Sequence, residues 1–469
     1  MLSPRGFVRD VISTNDTKTI FIVLPPYEEI HSVLYAKELF VKKLINEGYL
    51  VVAIACEYKD ISIVEEEALN YRLVRINSFG FTNSLLFWVR YVLACKGISR
   101  LPFYMKLRWD KVFKNSRLKT KLLKSILFLI SLLFKEETLF YVYRKIASVL
   151  QITKLYQVHR PLMTIFPFYF SSLRETEIIA IARNNNSTTL AIPARISTCD
   201  DVFYYAKPDL LLVWNELMKR QVKSWHGCNI NSVVPIGILK CDYYKSEDYI
   251  AQTQEEFIRN SGLLNDRKII SIICGNISCI RAYQIARTIL NSKQIKFKFQ
   301  VVLRANPDKF EDQLKSLKGK DGLPIFLLRG FSSDIKKYAI SNQIISTADF
   351  LKNSNVIISV ASTMCLESLY FNTPNIYLIY EEFKRYYKYD YMQPLLDEQG
   401  IKFVRNDAEL IDAVNGYLEN HLLGSMQREE LFRRYCFSID GNALDNCFNE
   451  IAKIKTGYRL TKDGKSNLY

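Results

Sequence analysis

The residues best suited to chemistry lie in SVASTMCLESLYFNTPNIYLI, 359 to 379. An apolar run, Val356-Ile357-Ile358, leads in and reads as a strand ending at Val360. Ser362 then suits a helix N-cap, and Thr363 stands in the first turn. Their hydroxyls and the free backbone N–H groups would make an anion site at the positive end of a helix over 362–371. Thr363 and Glu367 are spaced i, i+4, so they share one helix face roughly 6 Å apart along the axis. That matches the reach from a nucleotide's phosphates to its ribose diol. Asn372 falls where the helix must end, a position that favours Gly or Asn. The plainer alternative is a capped amphipathic helix carrying one solvated acid.

Other candidates stand at strand ends. Cys274-Gly275-Asn276-Ile277-Ser278 follows an apolar run, and Gly with small polar residues lets a backbone approach a ligand. An ordinary turn would read the same way. Arg304, in VVLRANP, sits at a strand's C-terminal end and is a candidate diphosphate clamp, or else a surface ion pair. In the first half, Glu28, Glu29 and His31 follow the first strand and suit a general base; Asp200 and Asp201, in RISTCDD, are rivals. Each could equally be a loop residue without catalytic work. No G-x-G, no G-x-x-x-x-G-K-[ST] and no D-x-D occurs, so a dinucleotide fingerprint, a P-loop and a metal-bridged diphosphate are not signalled. The expectation is a site without metal or cofactor, using helix dipoles and basic side chains.

These residues need a large α/β frame. The chain has 469 residues, 49% of them hydrophobic, which is enough for two domains and excludes global disorder. TIFIVL (19–24), a helical pattern closed by Gly48, and LVVAIAC (50–56) form a βαβ unit. LMTIFPF, STTLAIP, PDLLLVWNE and VVPIGI continue the rhythm to residue 238, and a polar stretch, 245–254, reads as the interdomain linker. RKIISIICGN, KFQVVLRANP, LPIFLLRG and IKFVRNDAELIDAVNGYL then build a second α/β half, with final helices over roughly 425–455. The division is 1–244, 255–455 and a polar tail, 456–469.

Residues 81–150 break the rhythm as a helical insert. Within it, 100–124 holds nine Lys/Arg and one acid, Asp110, interleaved with Phe103, Tyr104, Trp109 and Phe113. Segment 100–134 reads as a solvated helical face, a membrane-surface element or a nucleic-acid patch. No RNA- or DNA-binding signature supports the third, so no nucleic acid is expected. The net charge of +16 suits an anionic partner, such as a phosphorylated substrate or acidic lipid, or serves solubility alone. The ten cysteines include no C-x-x-C pair, and the four histidines are scattered, which argues against a zinc site or disulfide framework. Residues 1–19 lack an apolar core, and Ile126–Phe134 is too short to span a bilayer. A cytoplasmic protein is expected, either free or peripheral at the inner face of the plasma membrane.

Taken in order, these stretches resemble the C-terminal domain of GT-B glycosyltransferases and relatives acting on bacterial surface polysaccharides and teichoic-acid-like polymers. The family pattern is a strand, Ser-Thr or Gly-Gly, a helix with a Glu, Gly-x-Pro and a strand. Here it reads Ser362-Thr363, Glu367, Asn372-Thr373-Pro374 and IYLI. VVLRANP resembles a family strand ending in Arg-x-His-Pro, with Asn306 at the His position. LLVWNELMKRQV and VVPIGILKCDYY resemble the segment closing the first domain. RYCFSIDGNALDN, with Asp440-Gly441, resembles the tail of CDP-glycerol glycerophosphotransferase-like proteins, and Cys199-Asp200-Asp201 partly matches a Trp-Asp-Asn. The resemblance implies two Rossmann-like domains facing a cleft, with the last helix packing back on the first domain. It places Ser362 and Thr363 by the donor phosphates and Glu367 on the ribose hydroxyls. It implies metal-independent transfer of a sugar from a nucleotide sugar to a glycan or lipid-linked acceptor, in capsule or lipopolysaccharide biosynthesis. A CDP-polyol phosphotransferase and a nucleotide-sugar 2-epimerase remain alternatives on the same fold. A non-enzymatic basic binding module is more remote.

Overall fold

The computed structural model describes residues 18–24, 41–56, 71–76, 83–97, 100, 102, 105–106, 118–146, 150–169, 173–201, 203–204, 206–245, 252–305, 325–329, 347–436 and 442–455. Two sheets organise them. The first contains β1 (Thr19–Val23), β2 (Leu50–Cys56), β3 (Tyr71–Ile76), β4 (Met163–Tyr169), β5 (Thr188–Pro193), β6 (Leu210–Val213) and β7 (Val233–Pro235), in the order β3-β2-β1-β4-β5-β6-β7. The second contains β8 (Lys268–Cys274), β9 (Phe299–Ala305), β10 (Ile325–Arg329), β11 (Val356–Ser359), β12 (Asn375–Leu378) and β13 (Lys402–Val404), in the order β10-β9-β8-β11-β12-β13. Every pairing is parallel. The architecture is α/β with two Rossmann-like domains, as the sequence implies.

The helices of the first domain are α1 (Lys42–Asn46), α2 (Asn83–Gly97), α3 (Leu118–Leu133), α4 (Glu136–Ile146), α5 (Leu150–His159), α6 (Leu173–Asn184), α7 (Thr198–Asp201), α8 (Glu216–His226) and α9 (Leu239–Lys245). Those that follow are α10 (Gln254–Ser261), α11 (Cys279–Asn291), α12 (Thr347–Lys352), α13 (Met364–Leu369), α14 (Asp407–Glu419), α15 (Ser425–Cys436) and α16 (Ala443–Lys455). A capping box opens α10, with the Thr253 side chain and the Glu256 side chain each bonding the other's backbone N–H.

Parallel strands covered on both faces read as unbroken apolar runs. In the first sheet the period of two divides those runs. Phe21, Val23, Val52 and Ile54 join the core cluster that continues into the second domain. Ile20, Ile22, Val51 and Ala53 face the other way, onto Leu44, Ala443, Cys447, Phe448 and Ile451. Helix α16 thus returns to complete the first domain. Lys43 pairs with Asp445 at 2.9 Å and stands 4.4 Å over the Phe448 ring.

Two elements differ from the sequence reading. YRLVRI is a strand, β3, where none was read, because Arg72 and Arg75 interrupt its apolar run. As an edge strand it tolerates them. The helix expected over 362–371 is only Met364–Leu369. Its end tightens into i→i+3 bonds, Tyr370 to Glu367, Phe371 to Ser368 and Asn372 to Leu369, and closes at Asn372 with φ 54°.

The insert is anchored by a buried cation. Arg90 of α2 donates to Tyr143 Oη of α4 at 2.7 Å and to Thr176 Oγ1 of α6 at 3.0 Å, and lies 3.5 Å from Glu177.

Because α16 closes one face of the first sheet, Phe448→Ala should lower the unfolding free energy by about 3–5 kcal/mol. Urea unfolding of the two proteins measures it, and a change below about 1 kcal/mol would mean α16 is peripheral to that core.

Candidate active site

Strand order fixes where a ligand can enter. In an open parallel sheet the crevice lies at the carboxyl ends of the strands where the order reverses. In the second sheet that point lies between β8 and β11. The loops leaving these strands are Gly275–Ser278 and Val360–Thr363, so topology brings together Gly275, Asn276, Ser362 and Thr363. Asn276 joins the loops directly, its Nδ2 donating to Val360 O at 3.1 Å and Ala361 O at 3.2 Å. A Cβ added at Gly275 would meet nothing within 4 Å, so space beside this backbone is open. Ser278 caps α11 by accepting from Arg281 N at 3.3 Å, which directs a thirteen-residue helix's positive end at the same crevice.

The second loop is held in an unusual conformation. Ala361 has φ 44°, a left-handed backbone that a non-glycine residue rarely adopts. Three tyrosine hydroxyls hold it there. Tyr387 Oη accepts from Ala361 N at 3.3 Å, Tyr391 Oη donates to Ala361 O at 3.0 Å, and Tyr377 Oη donates to Ser362 O at 2.8 Å. Burial pushes the Tyr377 and Tyr387 phenols up, which keeps them protonated. Ser362 and Thr363 remain half-buried at the edge of this cage. Ser362 Oγ accepts from Met364 N at 3.3 Å, while Thr363 stands at the helix start without a side-chain cap bond.

Glu367 lies one turn deeper and is 4% exposed, so the solvated-acid alternative does not hold. Tyr244 of α9 donates to its Oε2 at 3.4 Å. The Tyr244 ring packs near Tyr370 and Phe371, at 5.7 and 5.4 Å between centroids. Burial first, and the nearby Glu367 second, hold the Cys436 thiol well above its ordinary value. Arg304 is also buried rather than on the surface. Its Nη2 donates to Thr347 Oγ1 at 2.8 Å, and its guanidinium lies 4.9 Å over the Phe350 ring, against α12.

The first domain reaches this site through Asp200. Asp200 is 1% exposed on α7, and its Oδ2 accepts from the backbone N of Tyr391 at 3.1 Å. It therefore bridges to the residue whose hydroxyl holds Ala361. Gln221 Nε2 adds a second bridge, to Asp390 O at 3.4 Å, and Asn215 Nδ2 a third, to Tyr435 O. Behind Asp200, His226 is fully buried. Its Nδ1 accepts from Tyr204 N at 3.3 Å, so Nε2 carries the proton and donates to Cys199 O at 2.8 Å. Burial holds His226 down at about 3, from an ordinary 6.5. Asp201 ends α7, and its side chain lies outside the described residues. Glu28, Glu29 and His31, which follow β1 in the sequence, lie outside the described residues, as does Asn306.

No family model and no curated protein matches the sequence. Solved structures match by fold. One, from Listeria monocytogenes, is described as a candidate UDP-N-acetylglucosamine 2-epimerase. It gives a TM-score of 0.53 at 11% identity, over 97% of this chain and 100% of its own. The wall teichoic acid polymerase TagF, soaked with CDPG, gives 0.52 at 11%, over 93% and 88%. A glycosyltransferase from Rickettsia africae gives 0.51 at 12%, over 94% and 99%. The fold is GT-B. Within this GT-B frame, the tyrosine cage was the part sequence reasoning missed. The run Tyr386-Tyr387-Lys388-Tyr389-Asp390-Tyr391 was its signal, since so dense a group of tyrosines is hard to explain by core packing alone.

The buried His226 makes stability pH-dependent. Its folded value is depressed, so its contribution is complete above pH 6.5 and falls away between 6.5 and about 3 as the unfolded chain takes up the proton. His226→Phe should flatten that segment of the stability profile by up to about 1.4 kcal/mol per pH unit. Urea midpoints across the range test this, and parallel profiles would show that His226 does not titrate on unfolding.

Proposed function

We propose that this chain is a GT-B transferase that moves a sugar from a nucleoside-diphosphate donor to a glycan or lipid-linked acceptor, in the building of a bacterial cell-surface polymer. One observation carries the reading. The β8/β11 crevice joins an open glycine backbone, a helix N-terminus, two half-buried hydroxyls and, one turn below, a carboxylate. The diphosphate would lie along Gly275, Asn276, Ser362 and Thr363. The ribose diol would reach Glu367 in place of the Tyr244 contact. Arg304 would serve the diphosphate after leaving Thr347.

In the transfer, a base takes the proton of the acceptor hydroxyl, and that oxygen bonds to the anomeric carbon. The carbon–oxygen bond to the nucleoside diphosphate breaks, and the departing phosphate carries the negative charge. The helix end and basic side chains meet that charge, with no metal or cofactor required. Asp200, Glu28, Glu29 and His31 are the base candidates. Asp200 already accepts a hydrogen bond from Tyr391 N, and Asp200→Asn retains an acceptor oxygen there. If Asp200 only bridges, turnover in that variant should stay within about tenfold; loss of roughly 10²–10⁴ would make it the base.

The resemblance to TagF, soaked with CDPG, supports a polyol-phosphate transferase as a second reading, and the 2-epimerase-like neighbour an epimerase. Stabilisation by UDP, GDP, CDP or CMP separates donor classes.

The donor site itself is tested by calorimetric titration. Glu367→Ala should weaken nucleotide binding by roughly 10²-fold or more, about 2.7 kcal/mol, with Glu367→Gln between. Thr363→Val should weaken diphosphate binding while leaving a bare nucleoside nearly unaffected. Circular dichroism controls for folding, and unchanged affinity in folded Glu367→Ala removes the ribose assignment.

A further inference from the structure

Helix α3 turns apolar side chains away from the protein. Leu122, Ile126, Leu129 and Leu133 follow one another at i+4, i+3 and i+4, and so form one stripe. Their exposures are 65%, 45%, 61% and 80%, and Leu132 beside them is 57% exposed. The opposite side, through Leu127, Ile130 and the buried Ser131, is the one that packs on the core. On α4, Tyr141 is also exposed, and Lys145 Nζ stands 5.6 Å from the centre of its ring. Exposed apolar groups scattered singly are ordinary, whereas a continuous stripe marks an interaction surface.

We propose that this face of α3 docks on an anionic lipid surface, with the helix lying in the plane of the interface. Three observations select that occupant. Residues 118–133 contain no acid but hold Lys119, Lys121 and Lys124, and the preceding segment is strongly basic. An anionic surface satisfies that charge. A second copy would bring one acid-free, lysine-bearing segment against another. Finally, sixteen helical residues reach only about 24 Å, less than the roughly 30 Å hydrocarbon core, and no described helix is long and apolar enough to cross a membrane. A helix with an apolar stripe and basic flanks, too short to span, lies in the interface. The inference does not rest on the proposed reaction.

The test is flotation of the full-length protein with vesicles of phosphatidylglycerol and phosphatidylcholine in about equal parts, and with phosphatidylcholine alone. The wild type should float with the mixed vesicles and be released by salt, and should bind phosphatidylcholine far more weakly. The double variant Leu129→Ser, Leu133→Ser should lose about 10²-fold in partition, because each leucine forfeits its apolar burial. Leu422→Ser with Met426→Ser, equally exposed positions elsewhere, should change nothing. Thermal melts confirm that the variants fold. Failure of the wild type to float, equal flotation of the α3 variant, or equal binding to phosphatidylcholine would overturn the proposal. So would a wild-type dimer by light scattering that the α3 variant dissociates.

Discussion

The left-handed turn at Ala361 is the constraint on which the site depends. A non-glycine residue in that conformation costs about 1–3 kcal/mol and persists only where its surroundings over-determine it. Here Asn276, Tyr387 and Tyr391 all grip the same peptide groups. The turn lets the chain leave β11 and enter α13 within a few residues. That sharp exit brings the hydroxyls of Ser362 and Thr363 to the edge of the crevice and puts Glu367 one turn behind them. Tyr391 extends the constraint across the domain boundary, since its backbone N–H is held by Asp200. The conformation of the loop and the closeness of the two domains are therefore linked through one residue.

The rest of the molecule supports that link. α7, which carries Asp200, is braced by His226 on Cys199 O, and the neutral imidazole is stacked on Tyr204 with ring centres 4.1 Å apart. α9, which carries Tyr244 toward Glu367, is itself tied to α16, because Asp242 accepts from Leu444 N at 2.5 Å. The return of α16 to the first sheet thus fixes the crossing segment as well as the core. Fold stability and site geometry share these elements, so changes at α16 should be felt at Glu367.

Much of this was legible in the sequence because it is local. Unbroken apolar runs at βαβ spacing marked the strands of both sheets except the edge strand β3, and the small residues after β8 and β11 stood at strand ends, where α/β proteins bind ligands. Asn372 closes its turn with positive φ, as its type and position suggested. What escaped is contact between residues far apart in the chain. The tyrosines of the cage stand 15 to 30 residues from the atoms they bond, and Tyr244 is 123 residues from Glu367. No periodicity encodes such distances. Arg304 and Asp200 show the same limit: residue type and strand-end position suggested charge chemistry, while the partners that bury them come from other elements. The outward stripe on α3 was visible only as one of three meanings of a basic, aromatic segment, until its packing showed which side faces the core.

Hydrogen exchange read by mass spectrometry, with and without a nucleoside diphosphate, tests the central claim most directly. If the donor lies in the β8/β11 crevice, peptides covering 275–278 and 360–364 should gain protection on adding UDP or CDP, and the rest of the second sheet should change little. Protection confined to other segments, with these two loops exchanging as before, would contradict the account.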